Sequence, residues 1–297
     1  MVTKRACRGI LEIMYEELLN SIQTVKLNIG GRDIQTYKIG NGPRKVLMLP
    51  PFPASGIYFL WLFLEQDISD FTFYTVDLPG WVGDSDKYKR GEEFNLDDYS
   101  KIAQGFADYY DLSAYSLLGF SFGATLAIKL AADNLDKIQS LILVSPVVSG
   151  KTISITDPLK FLVKAAYKLR AYWLFKKVLE LIFVYYHWYV KKHSQLTPEI
   201  YNKFIKLEKN MQAGILVKSA SELFSADWSF NLNALKELSA LIISSRDENY
   251  LFRKQADLVR TYLRHERTLY FRGWHQDFLL KPDLKLVGEI LEFLREY

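Results

Sequence analysis

The sequence predicts an α/β fold: a mostly parallel, doubly wound sheet of about eight strands, covered by helices on both faces and interrupted by an inserted helical cap. Three observations predict it. Short apolar runs alternate with helix-like stretches before residue 150, and the alternation resumes after about residue 230. The stretch between them is crowded with aromatics and contains no clear strand. The pentapeptide Gly119-Phe120-Ser121-Phe122-Gly123 lies where a strand-like run passes into a helix-like one, at the strand end where a sheet of this kind gathers its ligands.

The elements follow in order. Residues 1–20 hold basic residues followed by Gly9-Ile10-Leu11-Glu12-Ile13-Met14-Tyr15. That apolar run is too short for a secretory segment and is broken by Glu12, Glu16 and Glu17, so it reads as an N-terminal helical extension. Residues 22–29 and 32–39 form a hairpin around Gly30-Gly31. Residues 45–49 are a short buried strand that ends at Pro50-Pro51-Phe52-Pro53, a path able to hold a cis X–Pro bond. Helix is expected over 55–64, strand over 71–76 ending at Asp77, and amphipathic helix over 96–110. Residues 115–120 and 122–134 are the strand and helix flanking Ser121, and 138–144 is the next strand. After the cap come a strand at 238–243, a helix at 253–264, a strand at 267–271 and a last helix at 283–296. The core is therefore 21–150 plus 231–297, and the cap is 151–230.

Composition narrows the function classes. The chain has 297 residues, 49% of them hydrophobic, enough to bury a substantial core. One cysteine, Cys7, excludes an intrachain disulfide, fits a reducing, cytoplasmic compartment, and argues against thiol nucleophiles and cysteine metal sites. No stretch approaches the roughly 20 apolar residues of a membrane span. The net charge of +4 is uneven: residues 151–230 carry 13 Lys/Arg against 6 Asp/Glu. Such a basic segment can meet anionic lipid or substrate, though an ordinary solvated helical surface is the commoner reading. No nucleic-acid-binding motif is present. The run 174–192 combines apolar bulk with Lys176-Lys177 and Lys191-Lys192 at its ends. Peripheral membrane helices look like this, as do the commoner cap helices buried on one face.

The chemistry centres on Ser121. A small residue two places either side lets a sharp strand-to-helix turn lift the hydroxyl clear of the backbone, the layout of a nucleophile elbow. Serine needs a base, and the base should be a histidine. Of the four candidates, His187 and His193 fall in the cap and His265 ends a helix. His275, in Gly273-Trp274-His275-Gln276-Asp277-Phe278, follows a strand and precedes the last helix, so it lies at the active face. The base needs an acid to orient it. Asp247 and Glu248 both follow the strand 238–243, and only one of two adjacent turn residues can serve. The oxyanion needs backbone donors. The N–H of Phe122 opens a helix whose dipole favours negative charge, and the second donor belongs to the loop after 45–49.

Four segments in this order resemble the α/β-hydrolase superfamily with a helical cap, the branch of carboxylesterases, lipases, proline iminopeptidases and C–C hydrolases. The resemblance covers 22–150 and 232–297. Leu49-Pro50-Pro51-Phe52-Pro53 resembles the oxyanion loop Leu-His-Gly-Phe-Pro. Asp77-Leu78-Pro79-Gly80-Trp81-Val82-Gly83-Asp84-Ser85 resembles Asp-Leu-Pro-Gly-x-Gly-x-Ser with one extra residue. The elbow is the third segment, and His275 through Phe278-Leu279-Leu280-Lys281-Pro282 resembles the run before the family's last helix. The resemblance implies a Ser121–His275–acid triad with Phe52 and Phe122 as oxyanion donors, and no cofactor or metal. Two departures stand out. Pro50-Pro51 replaces the usual His-Gly, although the N–H of Phe52 survives. Serine, Ser244 or Ser245, replaces the glycine before the acid. Ungapped spacing from Phe252-Arg253 favours Glu248, residue preference favours Asp247, and both stay open.

The leading function is a serine hydrolase acting on a small-molecule carboxylic ester with an apolar part. The alternatives are a C–C bond hydrolase or an aminopeptidase-like amidase on the same residues. A further alternative is an inactive ligand-binding member of the fold, for which Pro50-Pro51 is the only support. A free amino group would need cap carboxylates, and only Asp157, Glu180, Glu199, Glu208, Glu222 and Asp227 are available. Epoxide and haloalkane hydrolysis are disfavoured, because those relatives carry aspartate where this chain has Ser121.

Overall fold

The structure is a computed structural model. It describes residues 21–63, 66–89, 92, 95–150, 212–225, 227–247, 251–273, 275, 277–280 and 282–297, with isolated positions between 161 and 188. The expected N-terminal extension, most of the expected cap and Glu248 lie outside the described residues.

Eight strands form one sheet: β1 (Gln23–Ile29), β2 (Arg32–Ile39), β3 (Arg44–Leu49), β4 (Phe71–Val76), β5 (Tyr115–Phe120), β6 (Ile138–Val144), β7 (Ala240–Ser245) and β8 (Glu266–Phe271). Their spatial order is β1-β2-β4-β3-β5-β6-β7-β8. The β1–β2 and β2–β4 pairs are antiparallel, and every other pair is parallel. The hairpin turns at Gly30 and Gly31, whose φ values of 59° and 78° suit two glycines in a mirror-image two-residue turn.

Among the described residues, the helices with defined bounds are α1 (Ile57–Leu60), α2 (Leu96–Tyr109), α3 (Phe122–Asp133), α4 (Ala213–Leu223), α5 (Ser229–Leu232), α6 (Leu251–Tyr262), α7 (Asp277–Leu280) and α8 (Leu284–Glu296). α2 starts with a capping box: Asp98 N–H donates to Asn95 Oδ1 at 3.1 Å, and Asn95 N–H donates to Asp98 Oδ2 at 2.8 Å. The helix expected over 55–64 is shorter. α1 gives way to a tight turn at Trp61–Phe63, where packing overrides helical continuity. Phe63 stacks on Phe73 of β4 with ring centroids 4.0 Å apart.

Alternation along each strand splits the core across the two sheet faces. Leu47, Leu49, Leu117, Leu141, Leu143 and Ile242 pack with residues of α2, α3 and α6 on one side. Val46, Met48, Leu118, Phe120, Ile142, Val144, Leu241 and Ile243 pack with Phe59, Phe63 and α8 on the other. Burial on both faces explains why the central strands read as unbroken apolar runs. Each fully buried aliphatic side chain contributes about 1.5–3 kcal/mol of transfer free energy.

Register fixes the site. Leu49 pairs with Gly119, Gly119 with Leu143, Leu143 with Ile242, and Ser245 with Phe271. The carboxyl ends of β3, β5, β6, β7 and β8 therefore align at one sheet edge. The loops carrying Phe52, Ser121, Ser145, Asp247 and His275 all leave from it.

Candidate active site

Ser121 sits between β5 and α3 with φ 56° and ψ −116°, a strained backbone for a residue with a Cβ. Its N–H donates to Val144 C=O at 2.8 Å, and its C=O accepts from Ala124 N–H at 3.0 Å. The turn is closed sterically. A Cβ on Gly119 would collide with Gly123 C=O and Ala124, and one on Gly123 with the carbonyls of Leu49 and Pro50. The elbow thus rides directly on the end of β3. Phe122 is the first residue of α3, where helical N–H groups have no intrahelical acceptor and the dipole is positive.

The β3 loop meets the elbow through its aromatics. The Phe52 ring lies 6.3 Å from the Phe122 ring and edge-on to Trp81 at 5.1 Å. Phe52-Pro53 is cis, as the Pro-Pro-Phe-Pro path allows. Ala54 N–H donates back to Pro51 C=O at 2.7 Å.

His275 follows β8. Its ring packs on Phe120, the residue before Ser121, with centroids 4.6 Å apart. Phe278 packs on the same Phe120 at 5.4 Å. The loop after β7 grips the loop of His275 from the side. Ser245 Oγ donates to Gly273 C=O at 2.5 Å, and Asp247 Oδ2 accepts from Gly273 N–H at 2.5 Å. Arg246 N–H donates to Phe271 C=O at 2.9 Å, and Asp247 N–H donates to Ser245 Oγ at 3.1 Å. Gly273 has φ 109° and would crowd Asp277 if it carried a Cβ, so only glycine fits this clasp. The Ser245 hydroxyl supplies one jaw of the clasp.

Of the expected site residues, Phe120 connects Ser121 to His275, Gly273 connects Asp247 to the His275 loop, and ring packing connects Phe52 to Phe122. A polar centre that sequence reasoning left without a role lies beneath the β3 loop. Asp77 is fully buried. Its Oδ1 accepts from Ser55 Oγ at 2.5 Å and Gly56 N–H at 2.9 Å. Its Oδ2 accepts from Tyr37 Oη at 2.8 Å and Asp84 N–H at 2.9 Å. One carboxylate thus joins β2, the β3 loop and the segment after β4. Burial pushes the Asp77 carboxyl up to about 6, while the four hydrogen bonds pull the other way. Burial and the Asp77 charge raise the Tyr37 phenol well above its ordinary range. The available signal was the Asp77-to-Ser85 motif, but Tyr37 and Ser55 carry no local pattern that points to it.

A second polar centre anchors the chain as it leaves β6. Gln255 of α6 is fully buried. Its Oε1 accepts from Val148 N–H at 2.8 Å and Ser149 N–H at 2.9 Å, and its Nε2 donates to Ser149 C=O at 2.8 Å. Thr125 Oγ1 of α3 donates to Val147 C=O. Ser149 bridges Asp227 antiparallel, and Trp228 N–H donates to Val148 C=O at 2.8 Å. The two ends of the 150–226 segment are therefore joined beside the elbow helix. Among the described residues, no group of three His, Cys, Asp or Glu side chains is arranged to hold a metal ion.

Residues 46–177 match the sequence profile of the alpha/beta hydrolase fold family. None of the curated proteins matches the chain in sequence. Among solved structures, an esterase from Exiguobacterium antarcticum has a TM-score of 0.72 at 17% identity, covering 92% of this chain and 100% of that one. A putative lipase from Acinetobacter baumannii has 0.71 at 15%, covering 96% and 95%. A bromoperoxidase from Bacillus anthracis has 0.71 at 14%, covering 93% and 100%. Enzymes named for different reactions share this architecture, so likeness at such identities speaks to fold and leaves the reaction to the site. The strand order, the profile match and the whole-chain likenesses agree: the chain has the α/β-hydrolase fold.

Proposed function

We propose that the chain is a serine hydrolase that cleaves a small carboxylic ester with an apolar part through an acyl-enzyme on Ser121. The observation that carries this reading is the strained backbone of Ser121 at the mouth of α3, φ 56° and ψ −116°, with the His275 ring one residue away on Phe120. In this reading Ser121 Oγ attacks the acyl carbon while His275 takes the hydroxyl proton. The N–H groups of Phe52 and Phe122 hold the oxyanion. Collapse of the tetrahedral intermediate breaks the bond to the alcohol, which leaves with the proton from His275. Water then repeats the sequence and frees the acid. The acid that orients His275 is Asp247 or Glu248, and the clasp of Asp247 on Gly273 supports Asp247. Segment 151–230 acts as the cap in this scheme and supplies the apolar surface for the ester.

A fluorophosphonate probe and a panel of nitrophenyl esters graded by acyl length test the reading. Labelling is expected on Ser121, and Ser121→Ala should lose both labelling and turnover. Absence of an adduct on the folded protein would point to a binding role. Faster cleavage of amino-acid anilides than of esters would reassign the bond.

A further inference from the structure

We infer that the corner formed by Phe161, Lys168, Leu169, Arg170 and Trp173 docks the protein onto an anionic lipid surface. This goes beyond the hydrolase reading and stands without it, because docking is measured with no turnover. Phe161, Ala165 and Lys168 are helical, and Leu169 N–H still donates to Ala165 C=O at 2.8 Å. Arg170, at φ 53°, turns the chain, and Tyr172 and Trp173 begin the next helical stretch. The spacing of Phe161 and Lys168 puts them on one helix face.

The corner is apolar and open at once. Phe161, Leu169 and Trp173 are 70%, 74% and 71% exposed. Tyr172, next to Trp173, instead turns to Gly214 of α4, where its ring atoms come within 3.6 Å of the space a Cβ would fill. Trp173 is therefore the outward member of an aromatic pair whose inner member packs. Lone exposed apolar residues are ordinary, but a leucine and a tryptophan on the two sides of one turn, with a phenylalanine on the helical stretch leading into it, are not. Lys168, Arg170 and Lys177 are exposed on the same stretch.

Charge selects the occupant. Between Asp157 and Glu180 the chain carries Lys160, Lys164, Lys168, Arg170, Lys176 and Lys177 and no acidic residue. Tryptophan and leucine flanked along the chain by cations suit the boundary between headgroups and acyl chains, and an anionic leaflet supplies the complementary charge. Among the described residues no helix is long and apolar enough to cross a membrane, so the contact proposed is interfacial. The run 174–192, singled out by its lysine pairs, lies mostly outside the described residues. The corner immediately precedes it.

Co-sedimentation of the full chain with vesicles tests this. Binding is expected to phosphatidylglycerol–phosphatidylcholine vesicles, to be weak on phosphatidylcholine alone, and to fall as salt rises. Lys168→Ala with Arg170→Ala should lower partitioning about 30-fold, two cations each contributing about fivefold at the surface. Leu169→Ala with Trp173→Ala should lower it at least about tenfold. Thermal melts matching the parent would show that both variants fold. Should either fail to fold, the parent's lipid preference and salt dependence still decide. Equal binding to both vesicle types, no binding at low salt, or folded variants that bind like the parent would each overturn the inference. So would a dimer dispersed by Trp173→Ala in a protein that ignores vesicles, since the corner would then serve a second copy of this chain.

Discussion

Replacing Asp77 by asparagine should separate the charge of this buried carboxylate from its geometry. Two effects of similar size oppose each other. Ionised Asp77 is held in a dry site, and its carboxyl rises from 3.8 to about 6. At about 1.4 kcal/mol per pH unit, that is a penalty of at most about 3 kcal/mol at neutral pH. Asparagine removes the penalty and keeps an acceptor for Ser55 and Gly56. Its amide group, however, faces the N–H of Asp84, a buried donor against a donor, at a cost of about 1–3 kcal/mol. The variant should therefore stay within about 2 kcal/mol of the parent at pH 7. Alanine, which leaves all four donors unanswered, should lose about 4 kcal/mol or more. The sign of the pH dependence follows from linkage. The folded state binds the Asp77 proton more tightly than the unfolded chain does, so this stabilisation is complete below about pH 4 and lost as pH rises through about 6. Urea melts of parent and Asp77→Asn across that window isolate the group, because every other titrating residue is shared. The stability difference, parent minus variant, should fall by about 2 kcal/mol from pH 4 to pH 6. Ser55 and Gly56 follow Phe52 closely, so a displaced loop should also lower kcat about 10- to 100-fold with KM little changed. A stability difference that is flat or rises with pH, together with unaltered kcat, would refute the reasoning.

Other outcomes follow from packing. Gly123→Ala should cost at least about 3 kcal/mol, because the new methyl meets the carbonyls of Leu49 and Pro50. Gly288→Ala, with nothing within 4 Å of its Cβ position, should instead raise stability by about 0.5–1 kcal/mol; denaturant midpoints compare the two. Ser121→Gly should relieve the strained φ of 56° and stabilise the fold by about 1 kcal/mol while abolishing ester turnover, as thermal melts and a nitrophenyl ester assay would show. Gln255→Leu removes the partner of Val148 N–H, Ser149 N–H and Ser149 C=O. It should cost about 2–4 kcal/mol and open the chain around 145–150 to limited proteolysis.

The strands were legible because their signal is local. The runs at β3, β5, β6 and β7 are buried on both faces, and four to six consecutive apolar residues leave few other readings. The elbow was legible for a steric reason: two close backbone approaches in five residues demand glycine at both ends. The Asp77 and Gln255 centres were not legible. Gln255 binds residues more than a hundred positions away, and Tyr37 reaches Asp77 across 40. Such pairings depend on strand order, which no window of sequence contains. The choice between Asp247 and Glu248 stayed open for a related reason. Adjacent turn residues differ only in direction, and the direction of Asp247 depends on Gly273 of the neighbouring loop. The premature end of α1 was hidden because aromatic packing under β4, not propensity, decides it.

The bridge between Ser149 and Asp227 makes the intervening segment a module. Chain leaves the sheet after β6 and returns toward β7 through one stitched gate, so the neighbours β6 and β7 can pair whatever lies between. Length and sequence there can drift, shrink or be exchanged while the stitch holds, because the cost of closing a longer loop grows only logarithmically. Thr125 and Gln255 hold that stitch from α3 and α6, helices that the sheet already packs. The scaffold can therefore exchange this insert without re-solving its own fold, and a graft between residues 150 and 226 is where an engineer should begin.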